Sequence, residues 1–283
     1  MPEVVTGLRA LLGEARVRLA AAGIADATQE AIRLWSGLWR ISPGAAYLAQ
    51  DQRIAPEEVE AFERAVARRA AGEPLAYVIG WTGFRHLSLT VDRRVLIPRP
   101  ETEGVVDLLL ERQSIGRVAD VGTGSGCLAL ALADEGEFVA VHAVDLSEEA
   151  LALAQANART AGVPVRFHLG DLCVPLVGLG LDAIVSNPPY LTAAEYDRLD
   201  PSVKAWEPAQ ALVSGEDGLR ETRRLLNEAR GVLGPAGWLV VELDCNRAAQ
   251  CAALARHFGW AEVEVHQDLF GRDRYLTARR SEA

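Results

Sequence analysis

The sequence is poor in several residue types whose absence excludes common classes of protein. Its 283 residues include four cysteines, one methionine and one lysine, Lys204, so all but one of the 29 basic residues are arginines. The cysteines form no C-x-x-C pair and no zinc-ligand spacing, and the five histidines are scattered, so we expect no metal site and a reducing compartment. Neither a long apolar run nor a secretion signal is present, which predicts a cytoplasmic protein without a membrane span.

Positive charge is also scarce in the larger part of the chain. The net charge is -10; residues 1–75 hold ten acids and nine arginines, and residues 76–283 hold the remaining 29 acids against 20 bases. Proteins that bind a nucleic-acid backbone usually carry a basic surface. The charge distribution therefore argues against a nucleic-acid substrate, and we expect no direct nucleic-acid partner.

The hydrophobic pattern changes twice along the chain. Residues 1–74 have helical spacing, beginning with an amphipathic run at 4–22, and Trp35 and Trp39 are predicted to pack in the core of a small bundle. Residues 75–97 alternate in a way typical of a β-hairpin connector. From 98 to 283 strands and helices alternate, which predicts an α/β domain with a mostly parallel sheet, while the last segments indicate an antiparallel edge strand.

A glycine loop follows the first strand of this alternating region and precedes a helical run. Glycines let a ligand approach the backbone closely, and a helix amino end offers free N–H groups. The spacing is G-x-G-x-G with Cys127 where a dinucleotide fingerprint needs glycine, and no lysine follows, which excludes a phosphate-binding P-loop. S-adenosylmethionine is the remaining common ligand, and we predict that its binding residues include Gly122, Thr123, Gly124, Ser125 and Gly126.

Acidic residues follow the next two strands. Asp145 stands 19 residues beyond Gly126, where an acid can accept hydrogen bonds from both ribose hydroxyls; capping of the following helix is the plain alternative, and both roles could hold together. Asp171 and Leu172 could flank an adenine ring, the first accepting from its amino group and the second packing on its face. An ordinary surface aspartate and a core leucine would look the same.

The segment Asn187-Pro188-Pro189-Tyr190 directly follows a further apolar run, at the carboxyl end of a predicted strand. Its prolines fix φ and supply no N–H, so the loop presents acceptors with few donors. We expect the Asn187 side-chain oxygen and the Pro188 carbonyl to hold both hydrogens of a target NH₂ group, Pro189 to stiffen the site, and Tyr190 to stack on the planar target. A plain strand-to-loop turn is the alternative interpretation.

These motifs together resemble the HemK-type release factor glutamine methyltransferases, a resemblance that extends through most of the chain. It implies a helical amino-terminal domain, a hairpin connector and a class I, Rossmann-like methyltransferase domain. It also implies methyl transfer from S-adenosylmethionine to the glutamine side-chain nitrogen in the Gly-Gly-Gln loop of peptide-chain release factors, by an enzyme that we expect to be a monomer. The motifs that carry it are 74–80, 96–103, 120–126, Asp145, 185–190 and 216–219.

The chain departs from the family pattern at two places. Leu172 stands where many members have tryptophan, so aliphatic packing replaces aromatic stacking on adenine, and the stretch 242–247 lacks the usual Glu-x-Gly-x-x-Gln pattern. Three alternatives remain open from the residues alone. They are a ribosomal-protein glutamine methyltransferase, a nucleic-acid amino-methyltransferase acting on adenine or guanine, and a non-enzymatic scaffold.

Overall fold

The computed structural model describes residues 7–282, which form two compact units. The first holds the described residues up to Trp81 together with Pro201–Trp206; the second holds Thr82–Asp200 and the chain from Glu207 onward. The division at 74/75 and 97/98 drawn from the sequence stays a prediction. Within residues 7–282, no helix is long and apolar enough to cross a membrane, and no group of side chains has the composition of a metal site.

Helices make up the first unit. Aliphatic side chains spaced three or four apart bury one face of its first helix, as predicted, although residues 4–6 of the predicted span lie outside the described part of the chain. Trp35 is buried, stacks on Trp39 at 4.0 Å and meets the edge of Phe62 at 5.3 Å. Numbered along the whole chain, these helices are α1 (Leu8–Ala21), α2 (Ala27–Trp39), α3 (Pro43–Leu48), α4 (Pro56–Ala70), α5 (Leu75–Ile79) and α10 (Pro201–Trp206).

The second unit is a sheet of seven strands with helices on both faces. Alternate residues of each strand pack on opposite faces, so Val118 joins the core beneath one helical layer and Ala119 the core beneath the other. The strands are β3 (Ile115–Val121), β4 (Glu137–Asp145), β5 (Arg166–Leu169), β6 (Leu181–Ser186), β7 (Leu233–Glu242), β8 (Ala261–Gln267) and β9 (Asp273–Arg279). The helices are α6 (Glu103–Leu110), α7 (Cys127–Glu135), α8 (Glu148–Ala161), α9 (Ala193–Asp197), α11 (Arg220–Val232) and α12 (Ala248–His257).

The strand order is β5-β4-β3-β6-β7-β9-β8, with β3 to β7 parallel to one another. The chain therefore reverses its direction of progress across the sheet between β3 and β6, which are neighbours. The Ser186 hydroxyl donates to the Val121 carbonyl at 2.6 Å and ties the ends of these two strands together. Open α/β sheets bind their ligands at such a switch point, beyond the carboxyl ends of the strands.

The predicted α/β class is confirmed, and the tail of the sheet adds one detail. β9 pairs antiparallel with both β7 and β8, so the strand of reversed direction lies one place inside the edge and β8 occupies the edge. β8 and β9 are antiparallel to each other because the tight turn at Asp268–Arg272 joins them. That turn leaves the start of β9 beside Glu242, where Tyr275 pairs with it.

A two-stranded hairpin, β1 (Trp81–Phe84) and β2 (Leu87–Thr90), precedes the main sheet. Phe84 and Leu89 are buried in the core of the second unit. At its tip Arg85 adopts a left-handed φ of 50°. Its guanidinium bonds Glu135 through two nitrogens at 2.5 Å, so one side chain fixes the tip to the end of α7.

Candidate active site

A cavity of about 660 Å³ opens at the switch point of the sheet. Its volume is within the range of small-molecule sites. Most of the predicted cofactor residues line it: Gly122, Thr123, Gly124, Ser125, Asp145, Asp171, Leu172 and Asn187, together with Pro189 from the predicted substrate loop. Three predicted site residues, Gly126, Pro188 and Tyr190, do not line it.

The glycine loop turns sharply between β3 and α7. Gly122 and Gly124 have φ of 77° and 54°, and a Cβ added to either would meet no atom within 4 Å. Both conditions suit a ligand lying against bare backbone. Gly126 instead faces the protein: its amide donates to the Thr123 carbonyl at 2.8 Å, and a Cβ there would lie 3.2 Å from Leu130. It closes the turn that starts the helix, which explains why it lies outside the cavity wall.

Asp120, one residue before the end of β3, lines the cavity and has one oxygen without a hydrogen-bond partner among the described residues. Its Oδ2 accepts from the Thr123 hydroxyl at 2.6 Å and the Ala129 amide at 3.2 Å, while Oδ1 is buried without a hydrogen-bond partner in the described protein. Burial raises the pKa of this carboxyl to about 7. Sequence reasoning missed it as a binding residue, although an acid inside an apolar strand was a visible signal.

Asp145 ends β4 and links two loops. Its Oδ1 accepts from the Ser147 amide at 2.9 Å, and its Oδ2 accepts from the Gly124 amide at 2.8 Å. The carboxylate thus takes part in the helix start, as the capping alternative predicted, and also holds the glycine loop. Each oxygen has a second lone pair and can accept one further hydrogen bond from a hydroxyl.

The third acidic residue, Asp171, lines the cavity and has a protein partner that was not predicted. Asp171 pairs with Arg224 of α11, its two oxygens lying 2.7 and 3.3 Å from guanidinium nitrogens. The carboxylate expected to receive an adenine amino group therefore already has a charged partner on the protein. Leu172 lines the cavity with a left-handed φ of 44°, an unusual conformation for a leucine.

Two residues of the predicted substrate loop 187–190, Asn187 and Pro189, line the cavity. Pro188 is buried behind them, and Tyr190 donates its amide to the Leu212 carbonyl at 3.2 Å. Burial, and next the charge of Glu242, raises the pKa of the Tyr190 hydroxyl to about 12. A Cβ at Gly218 would lie 2.5 Å from the Tyr190 carbonyl, so glycine is required where the motif 216–219 passes behind this loop.

Asn187 is connected through hydrogen bonds to two buried side chains, Thr102 and Glu242. Asn187 Nδ2 donates to Thr102 Oγ1 at 3.2 Å, and Thr102 Oγ1 donates to Glu242 Oε2 at 2.7 Å. Thr102 and Glu242 are both buried. Burial raises the pKa of Glu242 to about 7, against the opposing effect of the Thr102 hydrogen bond. Neither residue was predicted to be part of the site, because they lie 140 positions apart in sequence.

The stretch 242–247, whose role could not be predicted from its residues, stabilises the same region. Arg247 bonds both carboxylate oxygens of Glu195 at 2.8 Å and donates to the Asp217 carbonyl at 2.8 Å. It also pairs with Asp244. One arginine, whose side chain is 12% exposed, thereby connects the segment after Tyr190 with the 216–219 motif.

Further parts of the cavity wall come from segments that sequence reasoning did not assign to it. Arg99 lines the cavity and bonds Glu207 Oε1 at 2.6 Å, while Glu207 Oε2 accepts from the Ile97 amide at 3.1 Å. Glu207 is buried, and its contacts connect the wall segment that contains Arg99 with the one that begins at Pro208. The additional lining residues are Arg94 to Leu96, Pro98, Arg99 and Thr102, then Pro208, Gln210 and Ala211, and from α11 Arg220, Glu221 and Arg224.

The chain is similar to known proteins along most of its length. Residues 10–80 match the PrmC N-terminal domain and residues 102–200 the methyltransferase small domain. The release factor glutamine methyltransferase of Deinococcus radiodurans is 42% identical, covering 97% of this chain and 99% of that protein; that of Nitratidesulfovibrio vulgaris is 40% identical, covering 97% and 95%. A methyltransferase structure from Pyrococcus furiosus shares the fold, with a TM-score of 0.53, 20% identity, and coverage of 69% and 89%.

Proposed function

Because this chain belongs to the release factor glutamine methyltransferase family, we propose that it methylates the side-chain nitrogen of the glutamine in the Gly-Gly-Gln loop of peptide-chain release factors. The methyl donor is S-adenosylmethionine. The observation that supports this function best is the position of two loops on one cavity: the glycine loop after β3 and the Asn187 loop after β6. A donor and an acceptor of a methyl group can thus be held side by side.

The cavity has the features that this cofactor requires. Bare backbone at Gly122 and Gly124 accepts a closely packed ligand, and the orphaned Asp120 Oδ1 is a suitable acceptor for an ammonium group. We propose that Asp120 binds the methionine ammonium, that Asp145 accepts from the ribose hydroxyls, and that Leu172 packs on the adenine. When bound, the cofactor supplies a methyl group already activated on sulfur.

The protein's own contribution is to hold a poor nucleophile. A carboxamide nitrogen has its lone pair delocalised, so it must be fixed in line with the methyl group. We propose that Asn187 Oδ1 and the Pro188 carbonyl accept its two hydrogens and that Tyr190 packs on the amide plane. Positioning of this kind can lower a barrier by roughly 7 to 11 kcal/mol. The methylated nitrogen then loses its extra proton to solvent.

The partner follows from the same proposal. We propose that the enzyme acts as a monomer, on protein rather than on nucleic acid, and in the cytoplasm, where release factors work. Ribosomal protein and nucleic acid, whose amino groups could be held in a similar way, are the competing substrates to be tested.

Methylation by the purified protein with labelled S-adenosylmethionine tests this function. Release factor, ribosomal protein and RNA are offered in parallel. We expect label only on release factor, and none when the Gly-Gly-Gln glutamine is replaced by alanine.

The Asn187→Ala variant should lose at least about 100-fold in kcat, because the target is no longer held, and should still bind the cofactor measurably. Label on RNA or ribosomal protein alone would contradict the assignment. Near-normal kcat in Asn187→Ala would contradict the proposed role of Asn187 in holding the target amide.

A further inference from the structure

Three side chains from separate segments form a chain of hydrogen bonds that ends at Asn187, the residue proposed to hold the substrate amide. Thr102 lies immediately before α6, Glu242 ends β7, and Asn187 follows β6. The distances are 2.7 Å from Thr102 Oγ1 to Glu242 Oε2 and 3.2 Å from Asn187 Nδ2 to Thr102 Oγ1. Thr102 and Glu242 are 2% exposed, so water does not compete for the contact between them.

Glu242, at the buried end of this hydrogen-bond chain, determines which group donates and which accepts in each contact. An ionised carboxylate can only accept hydrogen bonds, and a threonine hydroxyl has a single hydrogen to donate. When Glu242 is ionised, the Thr102 hydrogen points to Glu242, and Thr102 can only accept from Asn187. The Asn187 carboxamide must therefore turn its NH₂ toward Thr102 and its Oδ1 away from it.

We propose that Glu242, acting through Thr102, is a positioning residue that fixes the orientation of the Asn187 carboxamide, so that its oxygen rather than its NH₂ meets the substrate amide. This inference rests on the proposed function. A flipped carboxamide would present NH₂ to the NH₂ of the substrate, two donors with no acceptor between them, and the substrate amide would not be held.

Protonation of Glu242 removes the constraint. The neutral acid can donate to Thr102 Oγ1, and the threonine hydroxyl can then donate to Asn187 Oδ1. The donor-to-acceptor direction of both hydrogen bonds is then reversed. The other charged or titratable groups that act on Glu242 are Arg99, Glu101, Cys127, Tyr190, Arg274 and Tyr275. The two arginines favour its ionised form, but burial outweighs them and leaves its pKa at about 7.

The first test compares variants that change the hydrogen-bonding groups of Glu242 and Thr102 while keeping side chains of similar size. Glu242→Gln supplies a donor as well as an acceptor, and Thr102→Val removes the hydroxyl. Each should lower kcat for release factor methylation about 100-fold, with little change in KM for the release factor or in cofactor affinity. Thr102→Ser restores the hydroxyl and should recover most of the rate.

A matched control separates this role from the general effect of neutralising a shielded carboxylate. Glu135→Gln neutralises another shielded carboxylate of the same unit, one that pairs with Arg85 and lies outside the cavity wall. It should lower stability and leave kcat unchanged. If Glu135→Gln and Glu242→Gln lower kcat equally, the positioning role is refuted.

The second test is the pH dependence of kcat. The wild-type rate should fall as pH drops through about 7, because protonation of Glu242 permits the flipped carboxamide. The same limb should be missing from Glu242→Gln. A limb that persists unchanged in Glu242→Gln would belong to another group, such as Asp120, and would overturn the proposal.

The third test needs no turnover. The side-chain amide resonances of Asn187, assigned by their loss in Asn187→Ala, should shift with pH in the wild type with a midpoint near 7 and stay constant in Glu242→Gln. Constant wild-type resonances would overturn the inference. Failure of the proposed function looks different, since the wild type would then methylate no release factor while these resonances still titrated.

Discussion

At the scale of single residues, the notable feature is that two carboxyl groups are buried at a cost to stability, one in the cavity wall and one bonded to the lining residue Thr102. Asp120 and Glu242 are 1% and 2% exposed, and burial raises the pKa of each to about 7. Neither forms an ion pair in the described protein. Groups of this kind are typical of functional sites, where binding or orientation requires a charge that folding alone would exclude.

Asp120→Asn tests the part of this idea that concerns cofactor binding. Asparagine can still accept from Thr123 and Ala129, but it loses the negative charge. We expect the dissociation constant for S-adenosylmethionine, measured by calorimetry at about pH 8, to rise roughly 10- to 100-fold, the equivalent of one charged hydrogen bond. Asp134→Asn, an exposed acid on α7, is the control and should bind normally. An unaltered dissociation constant in Asp120→Asn would remove Asp120 from the binding site.

Glu242→Gln should also change stability in a pH-dependent way. From about pH 4.5 to 7 the folded protein keeps a proton on Glu242 that the unfolded chain releases, so its contribution to the free energy of unfolding falls as pH rises and is lowest above 7. At about pH 8 the variant should be more stable than the wild type, by on the order of 3 kcal/mol. Near pH 4 the two should be equal. Urea unfolding across this range checks the prediction, and a pH-independent difference would contradict it.

At the scale of secondary-structure elements, the β1–β2 hairpin depends on one arginine at its tip. Arg85 and Glu135 are each 16% exposed in their side chains and bond through two contacts; Asp107 adds a third, at 2.7 Å. The backbone amide of Arg85 donates to Glu103 at 2.8 Å. The hairpin is thus joined to both α6 and α7.

Arg85→Ala should therefore destabilise the protein by about 2 to 3 kcal/mol, because it leaves Glu135 shielded from water without its partner. Arg223→Ala, which removes an exposed pair with Asp217, should cost less than about 1 kcal/mol. Urea denaturation of the two variants makes the comparison. Equal losses would mean that the hairpin tip is as dispensable as a surface ion pair.

The elements that the sequence predicted well are those with a local signal. The strand before Gly122, the strand before Asn187 and the helices between them follow from alternation, glycine and proline alone. The contributions of Thr102, Glu207 and α11 to the cavity could not be predicted in the same way. Their positions depend on pairings between residues more than a hundred positions apart, or, for Arg224 and Asp171, 53 apart. Leu172 in a left-handed conformation is also a tertiary effect, since no local preference favours it.

At the scale of the whole molecule, electrostatics sets what the surface can attract. Residues 76–283 carry nine more acids than bases, 29 against 20. We expect labelled RNA and DNA oligonucleotides to show no measurable binding at about 150 mM salt by fluorescence anisotropy, because phosphate contacts depend on clustered positive charge. A purified release factor is the positive control. Tight, salt-sensitive RNA binding would indicate a local basic surface and favour a nucleic-acid substrate.

The path of the chain between β6 and α11 limits how the protein can be divided. After the Asn187 loop the backbone leaves the second unit at Asp200, contributes the six residues of α10 to the first, and returns at Glu207, which bonds Arg99. A fragment beginning at Thr82 would retain α10 while losing the helices with which it is grouped. A cut after Trp81 therefore does not separate the two units cleanly, because a helix of the first would remain within the chain of the second.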